Sequence, residues 1–148
     1  LPCFSPDGLT LYFSDSVGKR ILAYDLSARS PHLTNRRVFA AIAEDEGLPD
    51  GLTVDATGDV WCANYGAGRI TRYGLHGKAK AVYELPCPAV TSCSFGGDDL
   101  STLYVTTGWS PGIQRAEDEP GPGGSLFAMA TDTRGLPEPE FSIARKRD

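Results

Sequence analysis

A chain of 148 residues is long enough for one ordinary domain with a sizeable core. With 41% hydrophobic and 22% charged residues it reads as soluble and globular, and its longest plain apolar run, residues 38–43, falls far short of the about 20 residues a spanning helix needs. A net charge of −5 without any basic run excludes a nucleic-acid footprint and gives no basis for membrane contact.

The 17 glycines and 11 prolines imply many turns. Short apolar runs alternate with Gly, Asp, Asn and Pro, and no amphipathic helix stands out, which predicts an all-β protein. In chain order, a first unit holds Phe4-Ser5-Pro6-Asp7-Gly8, then strands at 11–15 and 20–25 and an outer strand at 37–40. A second unit repeats the order with strands at 51–55, 60–64, 69–73 and 81–85. A third has strands at 92–96, 103–107 and 125–129, with Phe141-Ser142-Ile143 as the remnant of a fourth.

The aromatic markers Tyr12, Trp61 and Tyr104 recur at the roughly 40–50-residue interval of propeller blades, each blade having four strands. The spacing predicts three four-stranded blades, about 1–45, 46–86 and 87–148. A single twisted sheet cannot bury both faces, so blades must stack. Three blades cannot close a ring, and the two terminal ones are expected to expose apolar faces that invite self-association. The third unit carries extra residues between its second and third strands, 108–124, including Trp109 and the acidic run Glu117-Asp118-Glu119. That stretch reads as a solvated excursion or as a lid over a pocket.

Cys3, Cys62, Cys87 and Cys93 form no Cys-x-x-Cys pair and read as small reduced residues in or near strands, which fits a cytoplasmic setting. The chain opens with Leu1 inside a strand-and-turn pattern and has Met129 as its single methionine, so sequence is expected upstream.

In a four-stranded blade, the residues just before the innermost strand look into the central funnel. In the second unit these are Leu48-Pro49-Asp50-Gly51. Asp50, in a tight turn between a proline and a glycine, is the carboxylate to single out, because a fixed oxygen ligand at a funnel mouth suits a hard divalent cation. The alternative is an aspartate that only binds turn amides. Asp15 and Asn64 end the second strands of their units and either face the same rim or bond to their own turns. Glu44-Asp45-Glu46 lacks EF-hand spacing and reads as a solvated connection, and Asp98-Asp99 as a turn. No Gly-x-Ser-x-Gly elbow is present, and His32 and His76 fall in outer connections, which disfavours a serine-hydrolase triad.

Several motifs in order resemble the C-terminal half of the SMP-30/gluconolactonase/regucalcin family. They are Ser5-Pro6-Asp7-Gly8 with Leu11-Tyr12-Phe13-Ser14-Asp15-Ser16, and Thr34-Asn35-Arg36-Arg37-Val38-Phe39. Gly47-Leu48-Pro49-Asp50-Gly51-Leu52 and Thr91-Ser92-Cys93-Ser94-Phe95-Gly96-Gly97 follow. The resemblance implies half of a six-bladed β-propeller, with one divalent cation on the axis of the full-length parent. It implies that Asp50 is both a metal ligand and the general base. The family's Asn ligand falls just before Leu1, and its Glu ligand and substrate-binding residues lie in the other half, so none of them is in this chain. The implied activity is metal-dependent hydrolysis of a sugar lactone, with calcium, zinc, magnesium or manganese as the cation. The isolated chain is expected to be inactive unless the missing N-terminal half or self-association completes a ring. The rival readings are a non-catalytic calcium-binding or partner-binding propeller and a truncated scaffold.

Overall fold

The computed structural model describes residues 2–27, 30–109 and 123–138. They form three separate antiparallel sheets. The first runs in the order β1 (Cys3–Phe4), β2 (Thr10–Asp15), β3 (Arg20–Ser27), β4 (Ser30–Ala41). The second runs β5 (Leu48–Val54), β6 (Val60–Tyr65), β7 (Arg69–Tyr73), β8 (Ala79–Glu84). The third places β10 (Thr102–Thr107) between β9 (Val90–Gly96) and β11 (Leu126–Ala130). Each sheet is a meander, so consecutive strands are neighbours and each blade is one local unit. The expected all-β class and blade architecture are what the chain adopts. The fourth strand anticipated at 141–143 and most of the insertion at 108–124 lie outside the described residues. No helix among the described residues is long and apolar enough to cross a membrane.

Two apolar layers join the blades. Tyr12, Ile21, Ala23 and Ala40 of the first blade cluster with Leu52, Val54, Val60, Cys62 and Tyr73 of the second. Trp61, Ala63 and Ile70 of the second cluster with Val90, Cys93, Leu103 and Val105 of the third. Strand β6 is therefore buried on both faces, and Val60, Trp61, Cys62 and Ala63 are all 0% exposed. This explains why β6 reads as a continuous apolar run while β10 alternates. The terminal blades keep one open face each: Phe4, Phe13 and Val38 are exposed on the first, Tyr104 and Leu126 on the third.

One turn residue recurs in every blade. Between the innermost strand and the next, Asp7, Asp55 and Asp99 each accept a backbone N–H two residues on, from Leu9 at 3.0 Å, Thr57 at 2.9 Å and Ser101 at 3.1 Å. An aspartate that folds onto its own turn fixes the reversal locally. Only in the second blade does the carboxylate become central. Asp55 is 0% exposed and also takes the Trp61 indole N–H at 3.0 Å, with the Arg72 guanidinium at 3.1 Å. Arg72 in turn reaches Asp59 at 2.8 Å and, across to the third blade, Asp132 at 3.0 Å, and lies 5.2 Å from the centre of the Trp61 ring. The Trp61 ring stacks on Tyr83 and meets Phe95 edge-on. Burial by itself would raise the Asp55 carboxyl. The Thr57, Trp61 and Asp59 donors and the Arg72 charge outweigh it and hold the group below the ordinary range.

Candidate functional site at the inner strands

The innermost strands β1, β5 and β9 lie side by side, with β5 in the middle. Asp50 stands on β5 rather than in a turn ahead of it, which corrects the expectation from the sequence. Pro49 pairs with Asn64 and Leu52 with Cys62, so Asp50 and Gly51 together are two-against-one residues of a β-bulge. A bulge leaves one residue outside the ladder and re-aims its side chain. The bulge is clamped by the neighbouring blade: the Ser14 hydroxyl donates to the Asp50 carbonyl, and the Ser16 hydroxyl donates to the Pro49 carbonyl at 2.7 Å. On the other side Gly51 meets β9, where a Cβ would come 2.2 Å from Ser92 Oγ. Only glycine lets the two inner strands approach that closely.

The Asp50 side chain is half-buried, and among the described residues no donor bonds its carboxylate and no cation pairs with it. Desolvation raises its pKa. The contrast with Asp55, a carboxylate with several donors in the same blade, is direct. Asp50 has the backbone of a fixed residue and a half-exposed side chain that no described residue bonds.

Asp15 and Asn64, the other rim candidates, have internal partners. Asp15 accepts from the Gly18 amide at 3.0 Å and from Arg20 Nε at 2.8 Å, so it serves its own hairpin. Asn64 is fully buried, donating to the Glu46 carbonyl at 3.0 Å and accepting from the Thr71 hydroxyl at 2.8 Å. Glu44-Asp45-Glu46 forms one turn of 3₁₀ helix, with Glu46 3.1 Å from Arg69 and Glu44 2.6 Å from Lys19. Asp99 accepts from both the amide and the hydroxyl of Ser101, as a turn residue does. His32 and His76 are exposed. Sequence reasoning missed Ser14 and Ser16 as anchors of the bulge and the Asp55–Arg72–Asp59 cluster. The Asp five or six positions before each aromatic marker was the available signal for the latter.

Among the described residues no group of three or more His, Cys, Asp or Glu side chains could hold a metal ion. An oxygen cage for a hard cation takes six or more ligands for calcium and about six for magnesium. Asp50 fits one such position, and the described residues do not supply the rest. A cleft of 380 Å³ runs along the inner strands, lined by Cys3, Phe4, Leu52, Val54, Cys93 and Phe95. Thr53, Ser92, Ser94 and Glu138 also line it, and Asp50 is not on its wall.

Residues 2–108 match the family model for the SMP-30/Gluconolactonase/LRE-like region. The chain belongs to this family. It is 40% identical over 105 residues to regucalcin of Xenopus laevis, an alignment covering 70% of this chain and 35% of that protein. It is 32% identical over 139 residues to a pentonolactonase of Haloferax volcanii, covering 91% of this chain and 48% of the relative. The solved structure of regucalcin from Agrobacterium tumefaciens, described as a calcium-binding protein, superposes with a TM-score of 0.82 at 33% identity, covering 96% of this chain and 48% of that one. The chain thus spans about half the length of the curated relatives it matches.

Proposed function

We propose that the protein built on these blades hydrolyses sugar lactones. This chain forms its C-terminal half, a partial propeller domain of units about 1–45, 46–86 and 87–148. Asp50 is the residue that carries the chemistry, as one ligand of a divalent cation (calcium, zinc, magnesium or manganese) and as general base. The supporting observation is the half-buried Asp50 carboxylate, without a donor among the described residues, on a bulge of the middle inner strand held by Ser14 and Ser16. A relative named as a pentonolactonase gives the substrate class. The cation, when bound, supplies Lewis-acid polarisation of the lactone carbonyl. Asp50 orients the attacking water and accepts its proton as the new C–O bond forms. The ring C–O bond then breaks and the proton passes to the departing alkoxide. Free, unpaired cysteines are in keeping with a cytoplasmic setting.

The test joins this chain to the N-terminal blades of a family member and assays gluconolactone hydrolysis with and without chelator. Hydrolysis that the chelator abolishes and a divalent cation restores is expected. Hydrolysis indifferent to the chelator, or undiminished in Asp50→Asn, overturns the proposal. A calcium-binding propeller without turnover is the second reading, favoured by the calcium-binding description of the Agrobacterium relative. Calcium binding by the joined protein with no hydrolysis of any aldonolactone selects it.

A further inference from the structure

The inner strands β5 and β9 both carry a bulge near their start. On β5, Pro49 pairs with Asn64 and Leu52 with Cys62, which sets Asp50 and Gly51 against a single residue. On β9, Val90 pairs with Thr107 and Ser92 with Thr106, which leaves Thr91 outside the ladder. The repeat therefore builds this kink twice. Of the two, only the β5 bulge presents a carboxylate. Among the described residues, only it is held by hydroxyl groups of the blade before it.

Those two hydroxyls grip different peptide groups. Ser16 donates at 2.7 Å to the Pro49 carbonyl, which belongs to the peptide before the Asp50 α-carbon. Ser14 donates to the Asp50 carbonyl, which belongs to the peptide after it. Each peptide is planar, so holding both carbonyls restrains the two dihedrals of Asp50 and the direction in which its side chain leaves the strand. On the far side a Cβ on Gly51 would lie 2.6 Å from the Ser92 α-carbon, so the bulge has little room to recoil toward the third blade. The second blade meets the third differently. The positions two and four after the aromatic marker are Ser14 and Ser16 on the first blade, but Ala63 and Tyr65 on the second. There the main chain makes the contact, with the Gly66 and Gly68 amides donating to the Pro88 carbonyl at 2.9 and 3.2 Å. A kinked inner strand thus forms without a serine pair, and the fold alone does not call for one.

We propose that Ser14 and Ser16 are positioning residues for Asp50, which through the Pro49 and Asp50 carbonyls set the direction of its carboxylate. This inference rests on the reading of Asp50 as metal ligand and general base. A carboxylate that must meet both a cation and a water tolerates little misdirection, and a displacement of about 1 Å costs on the order of 10²-fold in rate. The serines act through the main chain of the reactive residue, from a neighbouring blade.

The test uses the joined protein described above, carrying Ser14→Ala, Ser16→Ala or Asp50→Asn, and each alanine variant combined with Asp50→Asn. Either alanine alone is expected to lower kcat by about 10-fold or more while KM moves by less than about twofold. In the Asp50→Asn background neither alanine costs anything further, because both act through that carboxylate. Ser16→Thr keeps the hydroxyl and restores kcat. Ser101→Ala removes a hydroxyl that donates to Asp99 at 2.7 Å in a turn of the third blade, and keeps full kcat. Melting temperatures separate any loss of folding from loss of turnover. Should the joined protein bind calcium without turnover, its calcium affinity by calorimetry replaces kcat, and binding about 10-fold weaker with either alanine is expected. Alanine variants with full kcat beside a crippled Asp50→Asn overturn the positioning role and leave the lactonase reading standing. Asp50→Asn with full kcat, or a joined protein that neither hydrolyses lactone nor binds calcium, overturns both. A further loss from the alanines in the Asp50→Asn background, or an equal loss in Ser101→Ala, makes the serines residues of the fold only and overturns the proposal.

Discussion

Gly51 and Ser92 bring the inner strands of two blades together, and a methyl group on Gly51 would lie 2.2 Å from Ser92 Oγ and 2.6 Å from its α-carbon. The obstacle includes backbone, so rotating the serine side chain does not relieve it. Gly51→Ala is expected to push β5 and β9 apart at a cost of about 1–3 kcal/mol, the usual range for overpacking. Thermal unfolding measures the loss. Gly51→Ala combined with Ser92→Gly should recover only part of it, because the main chain at position 92 still stands in the way.

Asp50 makes the opposite prediction for stability. Its half-buried carboxylate has no donor among the described residues and burial raises its pKa, so ionisation at neutral pH works against folding. Asp50→Asn keeps the shape and removes the charge, and is expected to leave the melting temperature unchanged or higher. In the joined full-ring protein the same substitution should reduce lactone hydrolysis by about 10²-fold or more, as expected for loss of a general base. A gain in stability together with a loss of activity marks a residue kept for function. A destabilised variant would make Asp50 a structural residue.

Asp55 should behave as a stability residue. Asp55→Asn leaves Arg72 facing an amide inside a closed network, and removing one partner of a buried pair costs about 3–5 kcal/mol. The folded-state pKa of Asp55 lies below the ordinary value of 3.8, so its contribution is fully present above that value and is lost as pH falls through the lower folded value. Asp7 and Asp99 are lowered in the same direction, by their turn hydrogen bonds. Acid titration followed by tryptophan fluorescence should show unfolding below the ordinary carboxylate range, and the Asp55→Asn variant should be less stable at neutral pH with a flatter acid limb.

The cysteines offer a chemical readout of the inner strands. Burial pushes the Cys3 and Cys62 thiols up to about 12 and Cys93 well up too, so few thiolates exist at neutral pH. Folded protein is expected to react with a disulfide reagent far more slowly than protein in denaturant, where all four free thiols become available. Rapid labelling of Cys62 or Cys93 in the folded state would show that the blade interfaces open readily.

The prominence of Asp50 was legible because Pro49-Asp50-Gly51 stands out in a repeat, but its setting was not. The sequence suggests a turn, whereas Leu52 pairs with Cys62 and draws the motif into the strand as a bulge. That pairing depends on residues about ten positions away. Asp15 and Asn64 were read as facing the rim or bonding to their own turns, and their hydrogen bonds to Arg20 and Thr71 give them internal partners. The turn aspartates were present at regular spacing, yet nothing local distinguishes Asp55, which is buried between blades, from Asp7 and Asp99, which are not.

Alternation, turn residues and the recurrence of Tyr12, Trp61 and Tyr104 were enough to determine an all-β chain of blade-like repeats, because each blade is a meander whose pairings are local. The tertiary structure alone decided which faces of the blades meet, that Gly51 admits Ser92, and that among the described residues no side chain bonds the Asp50 carboxylate while Asp55 gains several donors. Those outcomes depend on how separate sheets stack, and the burial and charge each residue meets there come from side chains distant in sequence.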